Sequence, residues 1–236
     1  VSWFHGRPNE IPFSFYGWEH WFAWVIFILI VSVLYIYRHW MRSKDLRKVE
    51  IVVALSLIGM EGLYHLWLFF IGSWDLRYSL PLELSSISVI LAVLLLLFRK
   101  RIIYELLFFV GIAGALQALL TPVLTYGFPH FRYVHFFYTH MMVIWVALYF
   151  TWVVGYRPTI RSVFKSLIFL NILLPIVWFT NSWAGGNYMF LQTKPESPNL
   201  LDFLGPHPWY IISLEIVALV LFLLLWLLFR ERSMTR

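Results

Sequence analysis

Inside segments that are otherwise hydrocarbon, the chain carries hydroxyls at Ser85 and Ser86, imidazoles at His20, His65, His135 and His140, and carboxylates at Glu61 and Glu215. These are the parts of nucleophilic acyl transfer: a serine attacks an acyl carbon, a histidine takes its proton, and donors such as Gln117, Thr121 and Asn181 bind substrate or hold the oxyanion. Glu61 and His65, Gln117 and Thr121, and His135 and Thr139 are each four residues apart, which stacks each pair on one helix face. His140 lies about 100° round the helix from Thr139. His135 and His140 therefore cannot both point squarely into one pocket, and one of them serves as support for the other.

Each of these residues also has a plainer reading. A serine in a membrane helix usually packs or bonds back to a carbonyl, and a buried histidine is usually a satisfied partner. Glu61 with His65 reads first as a structural pair. A metal-dependent hydrolase is the alternative chemistry, with His20, His65, His135 and His140 as possible ligands on separate helices. No H-x-x-x-H or H-E-x-x-H run supports it. The absence of cysteine removes thiolate ligands, disulfides and a cysteine nucleophile, and no cofactor is expected.

The elements that must position these groups follow from composition. Of 236 residues, 61% are apolar, 20% aromatic and only 13% charged, with a mean hydropathy of +0.76, too few charges to coat a soluble domain. Seven runs long enough for a span of about 20 residues fall at 18–37, 51–72, 81–98, 103–126, 133–155, 162–184 and 208–229. Backbone groups facing lipid must be bonded within their own segment, so the runs are read as helices and the fold class as all-α. The first run lacks a basic leader and a small-x-small cleavage pattern, so it is expected to be retained. The whole chain, 1–236, reads as one domain.

Fourteen of the 18 Lys and Arg residues fall on one side of this arrangement, in the clusters 38–48, 99–101, 157–165 and 230–236. The other side holds Arg7, Arg77, Arg132 and Lys194. Positive charge stays inside, so the expected topology has seven spans, the N-terminus outside and the C-terminus cytoplasmic. The net charge of +6 is assigned to topology and contact with anionic lipid heads, and nucleic acid is not an expected partner. Under that topology the polar residues of all seven runs lie in the outer half. Ionisable groups are costly there and turn toward the bundle interior. The outer connection 185–207, rich in proline and glycine, is expected to form a structured cap.

Several stretches carry a family resemblance. They are G-A-L-Q-A-L-L-T-P at 114–122, G-F-P-H-F-R-Y at 127–133, N-Y-M-F-L at 187–191 and S-P-N-L-L-D-F-L-G-P-H-P-W-Y at 197–210. The chain resembles the bacterial YwaF-type integral membrane proteins, related to the animal transmembrane protein 164 family, along essentially its whole length. The resemblance implies acyl transfer between phospholipids by a cysteine and a histidine. The nucleophile's helix in the family begins with a segment like L-P-L-H-L-C. Here the segment is L-P-L-E-L-S at 80–85, so Glu83 stands where a histidine is common and Ser85 where the cysteine would be. His140 best matches the family histidine.

The reading that results is a lipid acyltransferase or acyl hydrolase with an outer-half cavity, acting on a phospholipid or other acyl lipid. Ser85 would attack and His140 would be base, then acid. Glu61, His65 and Glu215 would tune the pocket, and Gln117, Thr121 and Asn181 would bind substrate. A non-enzymatic carrier or membrane subunit using the same cluster is the other alternative.

Overall fold

A computed structural model describes residues 3–6, 12–194 and 200–231, and among these the regular structure is helical apart from one isolated bridge between Pro12 and Tyr126. The long helices are α1 (Trp18–Ile36), α2 (Arg47–Phe70), α3 (Leu84–Phe98), α4 (Arg101–Leu120), α5 (Phe131–Val154), α6 (Ile160–Ala184) and α7 (Trp209–Phe229). A single helical turn, Arg38–Arg42, joins α1 to α2. All but α3 are long and apolar enough to cross a membrane, which makes six.

The third run is where sequence and structure part. Its helix has 15 residues, about 22 Å long at 1.5 Å per residue, against a hydrocarbon layer of about 30 Å. Pro81 and an extended Glu83 (ψ 146°) hold the start of the helix back to Leu84, and Arg99, left-handed at φ 49°, ends it. The fourth run stops at Leu120 because Thr121 precedes Pro122 and leaves the helical region (φ −132°, ψ 69°).

The core is built on α4 and α5, whose most apolar stretches are 56% and 67% buried, against 6% for α7. Gly111 lets these two helices approach. A Cβ there would lie 2.9 Å from a Val143 methyl and 2.8 Å from one of Leu107, so a side chain would push α4 off α5. A π-helical turn spans Leu107–Gly111 at this contact, and another, Phe150–Val154, ends α5.

Two buried carboxylates fasten the end of the bundle that carries the basic clusters. Glu50 of α2 accepts from Arg99 Nε at 2.7 Å and Nη2 at 2.8 Å, from Arg47 Nη1 at 3.0 Å and from the Tyr149 hydroxyl at 2.7 Å. One side chain thereby ties α2, the end of α3 and α5. Glu105 of α4 is buried and accepts from Lys165 Nζ of α6 at 2.6 Å, with Arg101 at 3.6 Å. In sequence Glu105 reads as a surface partner of Arg101, whereas the structure makes it an interhelical strut. Glu50→Ala is expected to cost about 2–4 kcal/mol, because it strands Arg99 and Tyr149 without their acceptor while both arginines keep some contact with solvent. Glu50→Gln should cost less. Thermal unfolding in detergent measures both.

Candidate active site

The nucleophile candidate sits in the first turn of a helix. Glu83 is the N-cap of α3, and the first bond back to it comes from the Ile87 amide. The amides of Leu84, Ser85 and Ser86 therefore have no backbone acceptor among the described residues, as the geometry of a helix start dictates. They place three N–H groups and the positive end of the helix dipole beside Ser85.

Ser85 also faces a small cavity of about 10 Å³, lined by Ser88 and Val89 of α3, Ala115 of α4, and Thr139, His140 and Val143 of α5. That volume is at the lower limit for one water molecule. Of the three hydroxyls on its wall, two are committed. Ser88 Oγ donates to the Leu84 carbonyl at 2.7 Å, and Thr139 Oγ1 donates to the His135 carbonyl at 2.8 Å. The Ser85 hydroxyl has no hydrogen-bond partner among the described residues.

His140 is held in one tautomer. Its Nδ1 lies 2.7 Å from the Phe136 carbonyl oxygen, which only accepts, so Nδ1 carries the hydrogen and Nε2 keeps its lone pair. The Phe136 ring packs against the imidazole at a tilt of 35°, with centroids 4.3 Å apart.

His135 is committed elsewhere. Arg132 Nη1 donates to its Nδ1 at 3.0 Å, and its Nε2–H donates to Glu61 Oε1 at 3.1 Å. Tyr64 stacks on the ring at 4.4 Å, and the Arg132 guanidinium lies over Tyr64 at 4.8 Å. The partner of Glu61 is thus His135 on α5, not His65 one turn along its own helix. His65 Nδ1 accepts instead from Trp74 Nε1 at 3.3 Å. The Arg132–His135–Glu61 chain escaped the sequence reading, although arginine and histidine three apart on one helix face would have pointed to it.

The other sequence candidates lie away from the cavity. Gln117 and Thr121 are exposed, and Thr121 bonds back to the Gln117 carbonyl at 3.0 Å. Asn181 is buried, but its amide donates to the Tyr188 carbonyl at 3.0 Å and accepts from the Tyr188 amide at 2.8 Å. Glu215 is half-buried on α7 with no hydrogen bond among the described residues. His20 is bonded to the Leu119 carbonyl at 2.8 Å. Among the described residues no three His, Asp, Glu or Cys side chains converge as a metal site would require, so the four histidines are not gathered.

The connection after α6 is structured as far as it is described. Tyr188 accepts from the Leu80 amide at 2.8 Å and donates to the Leu76 carbonyl at 2.7 Å, while Glu83 accepts from the Met189 amide at 3.1 Å. These bonds clamp the Tyr188–Phe190 turn onto the segment that leads into α3. Residues 195–199 of this connection lie outside the described residues.

These features define an integral membrane protein of the all-α, multi-pass class, with a hydroxyl and an imidazole facing one buried cavity. The model of the TMEM164 family matches residues 15–226, and the chain belongs to that family. No curated protein and no solved structure matches it.

Beside the site, His130 caps α5. Its Nδ1 accepts from the Arg132 amide at 3.0 Å, and its Nε2 donates to the His5 carbonyl at 2.9 Å. Burial pushes its pKa below the usual imidazole value. A depressed histidine contributes stability that is present above its unfolded pKa of about 6.5 and lost as pH falls below it, where the unfolded chain binds the extra proton. The melting temperature is expected to be lower at pH 5 than at pH 7.5. The difference should shrink in His130→Asn, which keeps a capping oxygen but cannot titrate.

Proposed function

We propose that the chain is a membrane-embedded acyltransferase or acyl hydrolase acting on a phospholipid or other acyl lipid, with Ser85 as nucleophile and His140 as general base. The observation that carries this reading is that Ser85, the one cavity hydroxyl without a backbone acceptor, shares its cavity with an imidazole whose Nδ1 is tied to Phe136. His140 Nε2 takes the Ser85 proton as Oγ attacks the ester carbonyl carbon. The oxyanion faces the free amides of the first turn of α3, a role the sequence reading assigned to Gln117 and Asn181. Collapse of the tetrahedral intermediate breaks the ester bond, and His140 protonates the departing lysolipid oxygen. The acyl group on Ser85 then passes to the hydroxyl of a second lipid, giving transfer, or to water, giving hydrolysis. Glu61, held by His135, places a negative charge near the imidazolium that forms. Acyl chemistry is what the resemblance implies, and serine in the cysteine position would make the base indispensable.

A cavity of one water's size excludes an acyl chain, so substrate enters by parting the walls between α3 and its neighbours. The metal-dependent alternative lacks a convergent donor set among the described residues.

In the same proposal the chain crosses a bacterial cytoplasmic membrane seven times, with the N-terminus outside. The fourteen-to-four division of Lys and Arg supports it. α3 counts as a span because the non-helical segment ahead of it is bonded to Tyr188, and irregular backbone is tolerated at membrane depth where protein covers it. Reporter fusions after residue 100 should report cytoplasm and fusions after residue 186 the outside. The reverse pattern sinks the topology.

Ser85→Ala and His140→Ala should each lower acyl turnover in proteoliposomes by about 10³-fold or more. Ser85→Cys should retain activity, since a thiol needs less help from the base. Unchanged turnover in both alanine variants removes the catalytic assignment.

A further inference from the structure

α1 and α2 are consecutive antiparallel helices with a short connection, an arrangement in which neighbours normally pack together. Here both lie against α5 and scarcely touch one another. The gap between them is a crevice of about 250 Å³ in the half of the bundle that carries the basic clusters. Leu34 of α1 and Val53 of α2 form its sides, Met142 and Trp145 of α5 its floor, and Trp40 and Met41 of the connecting turn its end. Glu50 is the single charged residue on its wall, and the bonds to Arg47, Arg99 and Tyr149 already use that carboxylate. What remains is a hydrocarbon slot. It is larger than the roughly 150 Å³ cavity that holds a benzene molecule.

The rim has the opposite character. Within 38–48 stand Arg38, Arg42, Lys44, Arg47 and Lys48 against one acid, Asp45. Arg42 donates to the Trp152 carbonyl at 2.9 Å and Arg47 to Glu50 at 3.0 Å, so both are engaged. Lys44 and Lys48 are exposed and in no ion pair among the described residues. Lys44 Nζ lies over the Trp40 ring at 5.6 Å, which sets an ammonium at the lip of the crevice. An apolar slot with an uncommitted ammonium group at its mouth complements a molecule with a hydrocarbon chain and a phosphate at its head.

We infer that this crevice binds one acyl chain of an anionic phospholipid, with the phosphate held by Lys44. The site is separate from the Ser85 cavity and does not depend on the acyl chemistry proposed for it. It supplies the contact that α1 and α2 do not make with each other, so the lipid acts as a wedge that fixes α1 on the bundle.

The test is native mass spectrometry of the full chain released from nanodiscs containing equal amounts of phosphatidylglycerol and phosphatidylcholine. One phosphatidylglycerol per chain should be retained, with a preference of about fivefold or more over phosphatidylcholine. Lys44→Gln, a surface change, should abolish the preference. Val53→Trp, which fills the slot, should abolish retention, with its melting temperature as the control for folding. Equal retention of the two lipids by the unaltered chain overturns the proposal, as does undiminished retention by a folded Val53→Trp variant. If Val53→Trp instead dissociates a dimer and leaves lipid retention unchanged, the crevice is an interface between copies and the lipid assignment falls.

Discussion

In a hydrocarbon environment there is no water to complete an unfinished hydrogen bond, and this constraint organises the molecule. A polar group must find its partner within the protein or remain a liability of several kcal/mol. Most of the polar side chains in the helices meet that demand locally: Ser88, Thr139, Thr151, Thr180 and Ser182 all bond back to a carbonyl one turn earlier. His20, Asn181 and Glu105 meet it across elements. Against that background the groups left open are the Ser85 hydroxyl, Nε2 of His140, Nε1 of Trp145 and the first-turn amides of α3. In the proposed mechanism the hydroxyl, the imidazole and the amides are the nucleophile, the base and the anion site.

The two ends of the bundle solve the problem of buried carboxylates differently. At the basic end Glu50 and Glu105 are matched with arginine and lysine from other helices, so their charge is balanced by charge. At the other end Glu19 is buried among neutral donors, accepting from the amides of Ser14 at 2.9 Å and Phe128 at 2.7 Å. Its backbone carbonyl accepts from Tyr133 at 2.7 Å. Gly127 is required beside it, because a Cβ there would lie 3.0 Å from a Glu19 carboxylate oxygen and 2.9 Å from the Pro12 carbonyl. The G-F-P-H segment is thus the lid that closes α1 onto α5, and its histidine is a cap.

The all-helical membrane class was legible in the sequence because hydropathy acts over whole segments, whereas the third run yields a helix too short to count among the six long apolar ones. Pairing was less legible. Glu61 and His65 are on adjacent turns of one helix, and periodicity alone joins them. The choice of His135 depends on how α5 is rotated, which is set by Gly111 against Val143 and by aromatic stacking, and neither has a local signature. Gln117 and Asn181 were attractive as oxyanion donors by residue type. One faces outward, and the other folds the turn at Tyr188. The donors that do adjoin Ser85 are backbone amides, which residue-type reasoning overlooks unless Pro81 and Glu83 are read as the signs of a helix start. Ser85 and His140 came from the family pattern, and the shared cavity is a property of packing that no spacing encodes.

The exchange of cysteine for serine in the proposed mechanism changes which part of the site matters most. A free thiol has a pKa near 8.5, so a modest positive field supplies thiolate. A hydroxyl supplies almost no alkoxide at neutral pH and depends on a base whose lone pair is aimed and whose tautomer cannot drift. The Nδ1–H bond from His140 to Phe136 provides that constraint from within one helix, because donor and acceptor are four residues apart and the Phe136 ring also packs against the imidazole. Rotating α5 moves base and positioning group together. The geometry that must be restored once substrate has parted α3 from its neighbours is therefore the distance from α5 to the first turn of α3, and Gly111 of α4, where a Cβ would meet Val143 of α5, sets how closely α4 and α5 lie.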